Sequence, residues 1–232
     1  MPNRIFLTLA GLAGLSSTNS AIAGDPNDPT VVELFQSQGC SSCPPANAVL
    51  NSLAGRPDVL ALSFAVTYWD QLGWKDTFAH PAYTARQWEY SRAGKRANVS
   101  TPQMIINGRG VLVGSNKAQV EAFIRRYDRR TSGPAIAARA GKIAIAGKRL
   151  ARPANVWLVR YDPRAHQVPI RAGENGGRTL PHKNIVRSLH LVGKWSGGVV
   201  TYDIPAALNG SYRTAVLVQD GPGGAILAAR KV

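Results

Sequence analysis

Sulfur is scarce in this chain of 232 residues, which has two cysteines and two methionines. A tetrahedral zinc site needs four ligands, and neither a second C-x-x-C nor a clustered Cys/His pair exists to complete one. Gly-rich phosphate loops, a Ser-His-Asp arrangement and a paired-carboxylate site are missing. Phosphate cradling, serine-type acyl transfer and two-carboxylate acid–base chemistry are thus left without a motif. Past the N-terminus no apolar run is long enough to span a membrane. Internal repeats and low-complexity tracts are absent. What remains is a chain of ordinary globular composition, with material for one large domain or two modest ones.

Acidic residues are also few: 13 Asp and Glu stand against 28 Lys and Arg, for a formal net charge of +15. The imbalance is concentrated late. Between Gly24 and Arg130, 12 basic and 9 acidic residues leave +3, whereas from Thr131 onward 15 against 4 gives +11. An anionic partner for the C-terminal half and a solvated basic surface both fit this asymmetry. Nucleic acid is not expected, because no Lys/Arg block carries interleaved aromatics. Arg125-Arg126 with Arg129-Arg130 ends a predicted helix, where cations complement the helix dipole.

The first residues carry a targeting pattern. Arg4 precedes an apolar stretch from Ile5 to Leu15, and Ala21-Ile22-Ala23 forms an A-x-A cleavage site. Residues 1–23 are therefore expected to be a secretory signal peptide, placing the mature chain in the periplasm or outside the cell, where disulfides persist. No transmembrane segment is expected after its removal.

Both cysteines fall in one stretch, Q-G-C-S-S-C-P-P, Gln38 to Pro45, as a C-x-x-C of Cys40 and Cys43. Val31 to Phe35 before it reads as a buried strand. Ala46, Val49, Leu50 and Leu53 after it recur at helical spacing. The cysteines thus sit where a strand hands over to a helix N-terminus, whose free N–H groups and dipole favour a thiolate. Val59 to Val66 is an apolar run of the kind buried on both faces of a parallel sheet. A right-handed β-α-β unit would bring the next loop, T-Y-W-D-Q-L-G-W-K-D, to the same sheet edge as the cysteines. Tyr68, Trp69, Asp70 and Trp74 are then candidates for a substrate-binding rim; the alternative is that the tryptophans staple the loop to the body.

A helix over Pro81 to Arg92, a hairpin turning at Asn107-Gly108, and a helix capped by Asn116 complete the order β-α-β-α-β-β-α. Beyond Thr131 to Pro134 come short apolar runs separated by Gly/Pro turns: 142–146, 155–161, 185–192, 199–204, 212–219 and 225–229. This pattern predicts an all-β sandwich. The expected organisation is an α/β domain over 24–130 followed by a basic all-β domain over 131–232.

The stretch around the cysteines, the Y-W-D-x-L-G-W-K-D loop and S-T-P-Q-M-I-I-N-G together resemble thioredoxin-fold proteins. More narrowly, they resemble an exported bacterial family known as domain of unknown function number 1223. T-P-Q-M-I-I-N-G also resembles the cis-proline and hairpin of glutaredoxins, and Arg171 to Arg187 resembles the C-terminal part of the same uncharacterised family. The thioredoxin resemblance implies that Cys40 is an exposed nucleophile and Cys43 a buried resolving thiol. It implies that Pro102 is a cis-proline facing them, with Thr101 offering backbone groups to an extended substrate. It further implies that Glu33 is a buried acid assisting thiol deprotonation. The loop from Glu33 to Cys40 is one residue longer than the thioredoxin pattern, which leaves open a placement elsewhere. The dipeptide Ser41-Ser42 is neither Gly-Pro nor Pro-Tyr, so the redox potential is open in sign and size.

The chemistry that fits is thiol–disulfide exchange on a protein or small molecule bearing a thiol or disulfide, with no cofactor and no metal. The alternatives are a non-catalytic periplasmic binding protein and a Cu(I) chaperone, in which Met104 could add a thioether to two thiolates. His80, His166, His182 and His190 read as surface or structural groups, His80 also as a helix cap. Arg171, Glu174, Asn175, Arg178, His182, Asn184 and Arg187 form a polar cluster that either fixes a long loop or binds an anion.

Overall fold

The computed structural model describes residues 25–129, 132–206 and 209–232; the expected signal peptide lies outside them. Among the described residues there are thirteen strands and three helices. The first half runs β1 (Thr30–Gln36), α1 (Cys43–Leu53), β2 (Val59–Ala65), α2 (Pro81–Ala93), β3 (Gln103–Ile106), β4 (Gly110–Leu112) and α3 (Lys117–Arg126). The remainder runs β5 (Ala135–Arg139), β6 (Lys142–Gly147), β7 (Ala154–Asp162), β8 (His166–Pro169), β9 (Thr179–His182), β10 (Ile185–Trp195), β11 (Gly198–Asp203), β12 (Arg213–Gln219) and β13 (Ile226–Lys231).

Local chemistry accounts for the helices. His80 caps α2, its Nδ1 accepting from Ala82 N–H at 3.2 Å with Pro81 opening the helix. Asn116 caps α3 by accepting from Gln119 N–H at 3.0 Å. Asn107 and Gly108 both take positive φ, as the tight turn between β3 and β4 requires.

The expected pair of an α/β thioredoxin-like domain and a separate all-β sandwich is not what forms. Instead one mixed eight-stranded sheet runs β13-β12-β7-β10-β2-β1-β3-β4, so strands from both halves of the chain share it. β1 and β2 are parallel in register from Thr30↔Val59 to Gln36↔Ala65, and β3 is antiparallel to β1. The free edge of β2 is closed by the start of β10, through the parallel pair Ile185↔Ser63. Ser63 N–H donates to the Asn184 carbonyl at 2.9 Å, and Asn184 Nδ2 donates to the Ala61 carbonyl at 2.8 Å. β2 is buried along its whole length, so an unpaired edge there would leave backbone groups without partners; that cost draws the second half onto it.

Each face of the sheet has its own cover. Val31 and Phe35 share a core with Tyr83 and Tyr90 of α2, and with Val159, Tyr161, Ala215 and Leu217 from the late strands. On the opposite face Val32 and Leu34 pack with Ala46, Leu50, Val120 and Ile124 of α1 and α3. Farther along, Val156, Leu158, Val216 and Trp195 are covered by Ile143 and Ile145 of a small sheet, β11-β6-β5. The small sheet explains the sandwich-like sequence pattern, but the layer it packs on is the shared sheet. β5, β8 and β9 escape the sequence pattern because they are short and carry few large apolar residues.

A buried polar network ties the two halves together. Glu33 on β1 pairs with Arg86 of α2 at 2.7 Å, with side chains 0% and 2% exposed. Arg86 also donates to Gln219 of β12 at 3.1 Å and to the Tyr90 hydroxyl at 3.0 Å, and Tyr90 donates to the second Glu33 oxygen. The guanidinium lies against the rings of Phe64, Tyr90 and Trp157. Arg86→Met would leave the Glu33 carboxylate without its cation where water cannot reach it. A loss of about 3–5 kcal/mol of unfolding free energy is expected in urea titrations; a loss below about 1 kcal/mol would show that the pair does not hold the halves together.

Candidate functional site around Cys40 and Cys43

Cys40 and Cys43 form a disulfide with their Cα atoms 5.4 Å apart. β1 ends at Gln36, and the turn that follows closes with Cys40 N–H on the Ser37 carbonyl at 3.2 Å and Cys43 N–H on the Cys40 carbonyl at 3.1 Å. Cys43 is the first residue of α1, and Pro44 and Pro45 follow it. Prolines suit this position because the first N–H groups of a helix have no partner within it. They also remove two N–H donors that could otherwise face an anion.

The rim residues come together here. Trp69 Nε1 donates to Thr101 Oγ1 at 2.7 Å, and Trp74 Nε1 donates to Gln38 Oε1 at 2.9 Å. Both tryptophans therefore anchor their loop and at the same time border the cysteine turn, half-buried. Asp70 accepts from Asp76 N–H at 3.1 Å, shaping the loop, and Tyr68 donates to Gln87 at 3.2 Å. The Thr101–Pro102 peptide is cis. Ser42 links that segment to the cysteines: its hydroxyl lies 3.3 Å from Cys40 Sγ and 3.5 Å from the Thr101 carbonyl.

Glu33 takes the other placement. Its oxygens are held by Arg86 and Tyr90, and it serves the network across the sheet. Met104 is fully buried in the core beneath α1 and α3. Among the described residues no group of three or more His, Cys, Asp and Glu is placed to hold a metal ion.

Four neighbours of the cysteine turn were not predicted as site residues. Gln38 is a buried hub, its N–H donating to Asp76 Oδ2 at 2.7 Å and its side chain meeting Thr77 and Trp74. Burial pushes the Asp76 carboxyl up to about 6, against the backbone N–H groups of Gln38, Phe78 and Ala79 that favour its charge. The other two come from far along the chain. Asn175, itself wholly buried, donates to the carbonyls of Gln38 at 2.9 Å and of Cys40 at 2.8 Å. Glu174 accepts from Ser41 N–H at 3.0 Å and from the Ser41 hydroxyl at 2.6 Å. Gln38 lies within the quoted cysteine stretch and Asp76 ends the W-K-D of the aromatic loop, whereas no local signal linked Glu174 and Asn175 to the cysteines.

The segment carrying Glu174 and Asn175 joins β8 to β9. It comes close to the aromatic loop at Gly173, where φ is +72° and a Cβ would lie 3.1 Å from that of Trp74. Asn51 of α1 donates to the Pro181 carbonyl at 3.0 Å and accepts from Lys183 N–H at 3.0 Å, clamping the returning strand to the helix. With this cover in place Cys40 and Cys43 are both 0% exposed. The expectation of an exposed Cys40 is thus not met in the disulfide form, because residues from the second half lie over it.

The chain belongs to the family described as protein of unknown function, DUF1223, whose model matches residues 31–219. The crystal structure of protein AGR_C_4864 from Agrobacterium tumefaciens is similar at 32% identity and TM-score 0.71, covering 88% of this chain and 93% of that one. HBP35 of Porphyromonas gingivalis, 10% identical, shares the fold at TM-score 0.59 over 90% of this chain and 76% of its own. Comparison with curated proteins finds no match.

Removing the Asn175 amide should loosen the cover. In Asn175→Ala the disulfide is expected to be reduced several-fold faster by dithiothreitol, followed by quenched thiol labelling; an unchanged rate would mean the segment does not limit access. Asp76 has a pH signature. Its folded pKa lies above the ordinary value, so its contribution is full below about 4 and is lost as pH rises through about 6. Asp76→Asn abolishes that contribution. The variant's stability relative to the parent should therefore rise by roughly 2–3 kcal/mol between pH 4 and 7, read by urea titration at each pH.

Proposed function

We propose that this member of the DUF1223 family is a thiol–disulfide oxidoreductase acting in an export compartment, on a protein or small molecule that carries a thiol or a disulfide. The observation that carries the reading is the Cys40–Cys43 disulfide closing the turn into α1, with the Ser42 hydroxyl between Cys40 Sγ and the Thr101 carbonyl. A redox pair needs one sulfur that can be attacked and a second close enough to resolve the mixed disulfide. A C-x-x-C loop is also too short for its closure to remove much unfolded-state entropy, which weakens a purely structural role. The N-terminal targeting pattern supports an oxidising compartment.

The Cys40 thiolate attacks one sulfur of a substrate disulfide, forming a mixed disulfide and releasing a substrate thiolate that takes up a proton. Cys43, having lost its proton, attacks the Cys40 sulfur, reforms the intramolecular disulfide and releases the second substrate thiol. Two electrons pass from the cysteine pair to the substrate; the reverse sequence oxidises a substrate dithiol. In either direction Thr101, Trp69 and Trp74 border the place where the substrate sulfur must arrive, and the segment around Asn175 must move aside. Asp76, a buried acid bonded to Gln38 N–H, is tied to the cysteine turn, whereas Glu33 is engaged by Arg86 and Tyr90.

Cys43→Ser tests the reading. After reduction and exposure to oxidised glutathione or a disulfide-bearing protein, the variant should accumulate a mixed disulfide through Cys40, seen by intact mass and lost on re-reduction. No adduct, together with a Cys40 that iodoacetamide does not label at neutral pH, would sink the proposal.

A further inference from the structure

Resting on the oxidoreductase reading, we infer that Glu174 is a positioning residue that disfavours the Cys40 thiolate and so sets the pair to give up electrons to a substrate disulfide rather than to withdraw them. The geometry is specific. Glu174 Oε2 holds Ser41, the residue after Cys40, at both the N–H and the hydroxyl, 3.0 and 2.6 Å away. The N–H groups entering α1 are what ordinarily support a low-pKa cysteine. Here Ser41 N–H is already bound to a carboxylate, Cys43 N–H bonds back to the Cys40 carbonyl, and Pro44 and Pro45 have no N–H to offer. At this helix entry the N–H of Ser41, which could favour an anion on sulfur, is instead held by an anion on oxygen.

The other charged groups do not cancel this. From the aromatic loop come Asp70 and Asp76, the latter bonded to Gln38 N–H, with Lys75 exposed beyond them. From the covering segment come Glu174 itself and Arg178, whose guanidinium bonds to Asn175 Oδ1 at 2.7 Å, with Arg171 exposed. The Thr101–Pro102 segment brings no charge. Carboxylates hold the backbone on both sides of Cys40, at Gln38 and at Ser41, whereas the bonded cation is directed to an amide.

The redox consequence follows from which form carries the charge. Only the reduced pair can hold a thiolate, so a nearby carboxylate weakens the reduced form against the disulfide. The favoured reaction is dithiol plus substrate disulfide giving Cys40–Cys43 disulfide plus two substrate thiols. Two electrons and two protons leave the pair, and an external reductant of the dithiol class must restore it.

Glu174→Gln keeps an acceptor for Ser41 and removes the charge. Two readouts are expected to move together: the pKa of Cys40, from the pH dependence of iodoacetamide labelling, should fall, and the equilibrium with a glutathione couple should shift about three- to tenfold toward the dithiol. Tenfold corresponds to about 30 mV. In the unmodified protein, raising salt should lower the Cys40 pKa because an exposed carboxylate is screened, and Glu174→Gln should lose that dependence. A pKa and an equilibrium constant both unchanged within twofold in a variant with native circular dichroism would overturn the inference. So would a pKa that rises. These outcomes are separate from the Cys43→Ser trap, because the pKa and the glutathione equilibrium report on Cys40 whether or not a protein partner is captured.

Discussion

A carboxylate and a guanidinium shut away from water must find every partner inside the protein, and Glu33 with Arg86 finds them only when both halves of the chain are in place. Glu33 lies on β1, Arg86 on α2 and Gln219 on β12, so the network is complete only in the assembled sheet. A buried pair of this kind adds little net stability over apolar packing, yet breaking it is costly. Its effect is to penalise any arrangement in which the late strands fold away from the early ones. The seam at β2 works in the same direction, since Asn184 and Ile185 satisfy backbone groups of a strand with no access to solvent.

From that constraint follows the geometry at the cysteines. Because β10 starts beside β2, the hairpin before it, β8 and β9, is delivered next to α1. The connection between those strands then lies over the turn, with Asn175 on the Cys40 carbonyl and Glu174 on Ser41. The second half of the chain thus supplies part of the site. A cysteine pair at a bare helix terminus would have an accessible sulfur and more free N–H donors, whereas here both cysteines are buried in the disulfide form and Ser41 N–H is held by Glu174.

Much of the first half was legible because its signals are local. Strand and helix periods, the caps at His80 and Asn116, and the Asn107-Gly108 turn each depend on residues within a few positions of one another. The sandwich reading failed for a matching reason: alternation reports that a strand has one face in a core, not which sheet it joins. β7 and β12 have the same pattern whether they face a partner sheet of their own or extend one begun far earlier in the chain. The placement of Glu33 was open from sequence because one inserted residue in the following loop leaves its face undecided. Met104, a possible copper ligand by position, is buried in the core beneath α1 and α3.

The sequence by itself determined that Cys40 and Cys43 meet a helix start after a buried strand, since the C-x-x-C spacing, Pro44, Pro45 and the apolar periods are all local facts. It also marked Arg171 to Arg187 as a polar cluster serving either a loop or an anion. Only the tertiary structure showed that Glu174 and Asn175 bind the cysteine turn, from more than 130 residues away. Hydrogen bonds across such distances leave no period or spacing in a sequence. They exist only once the sheet has fixed where each loop emerges.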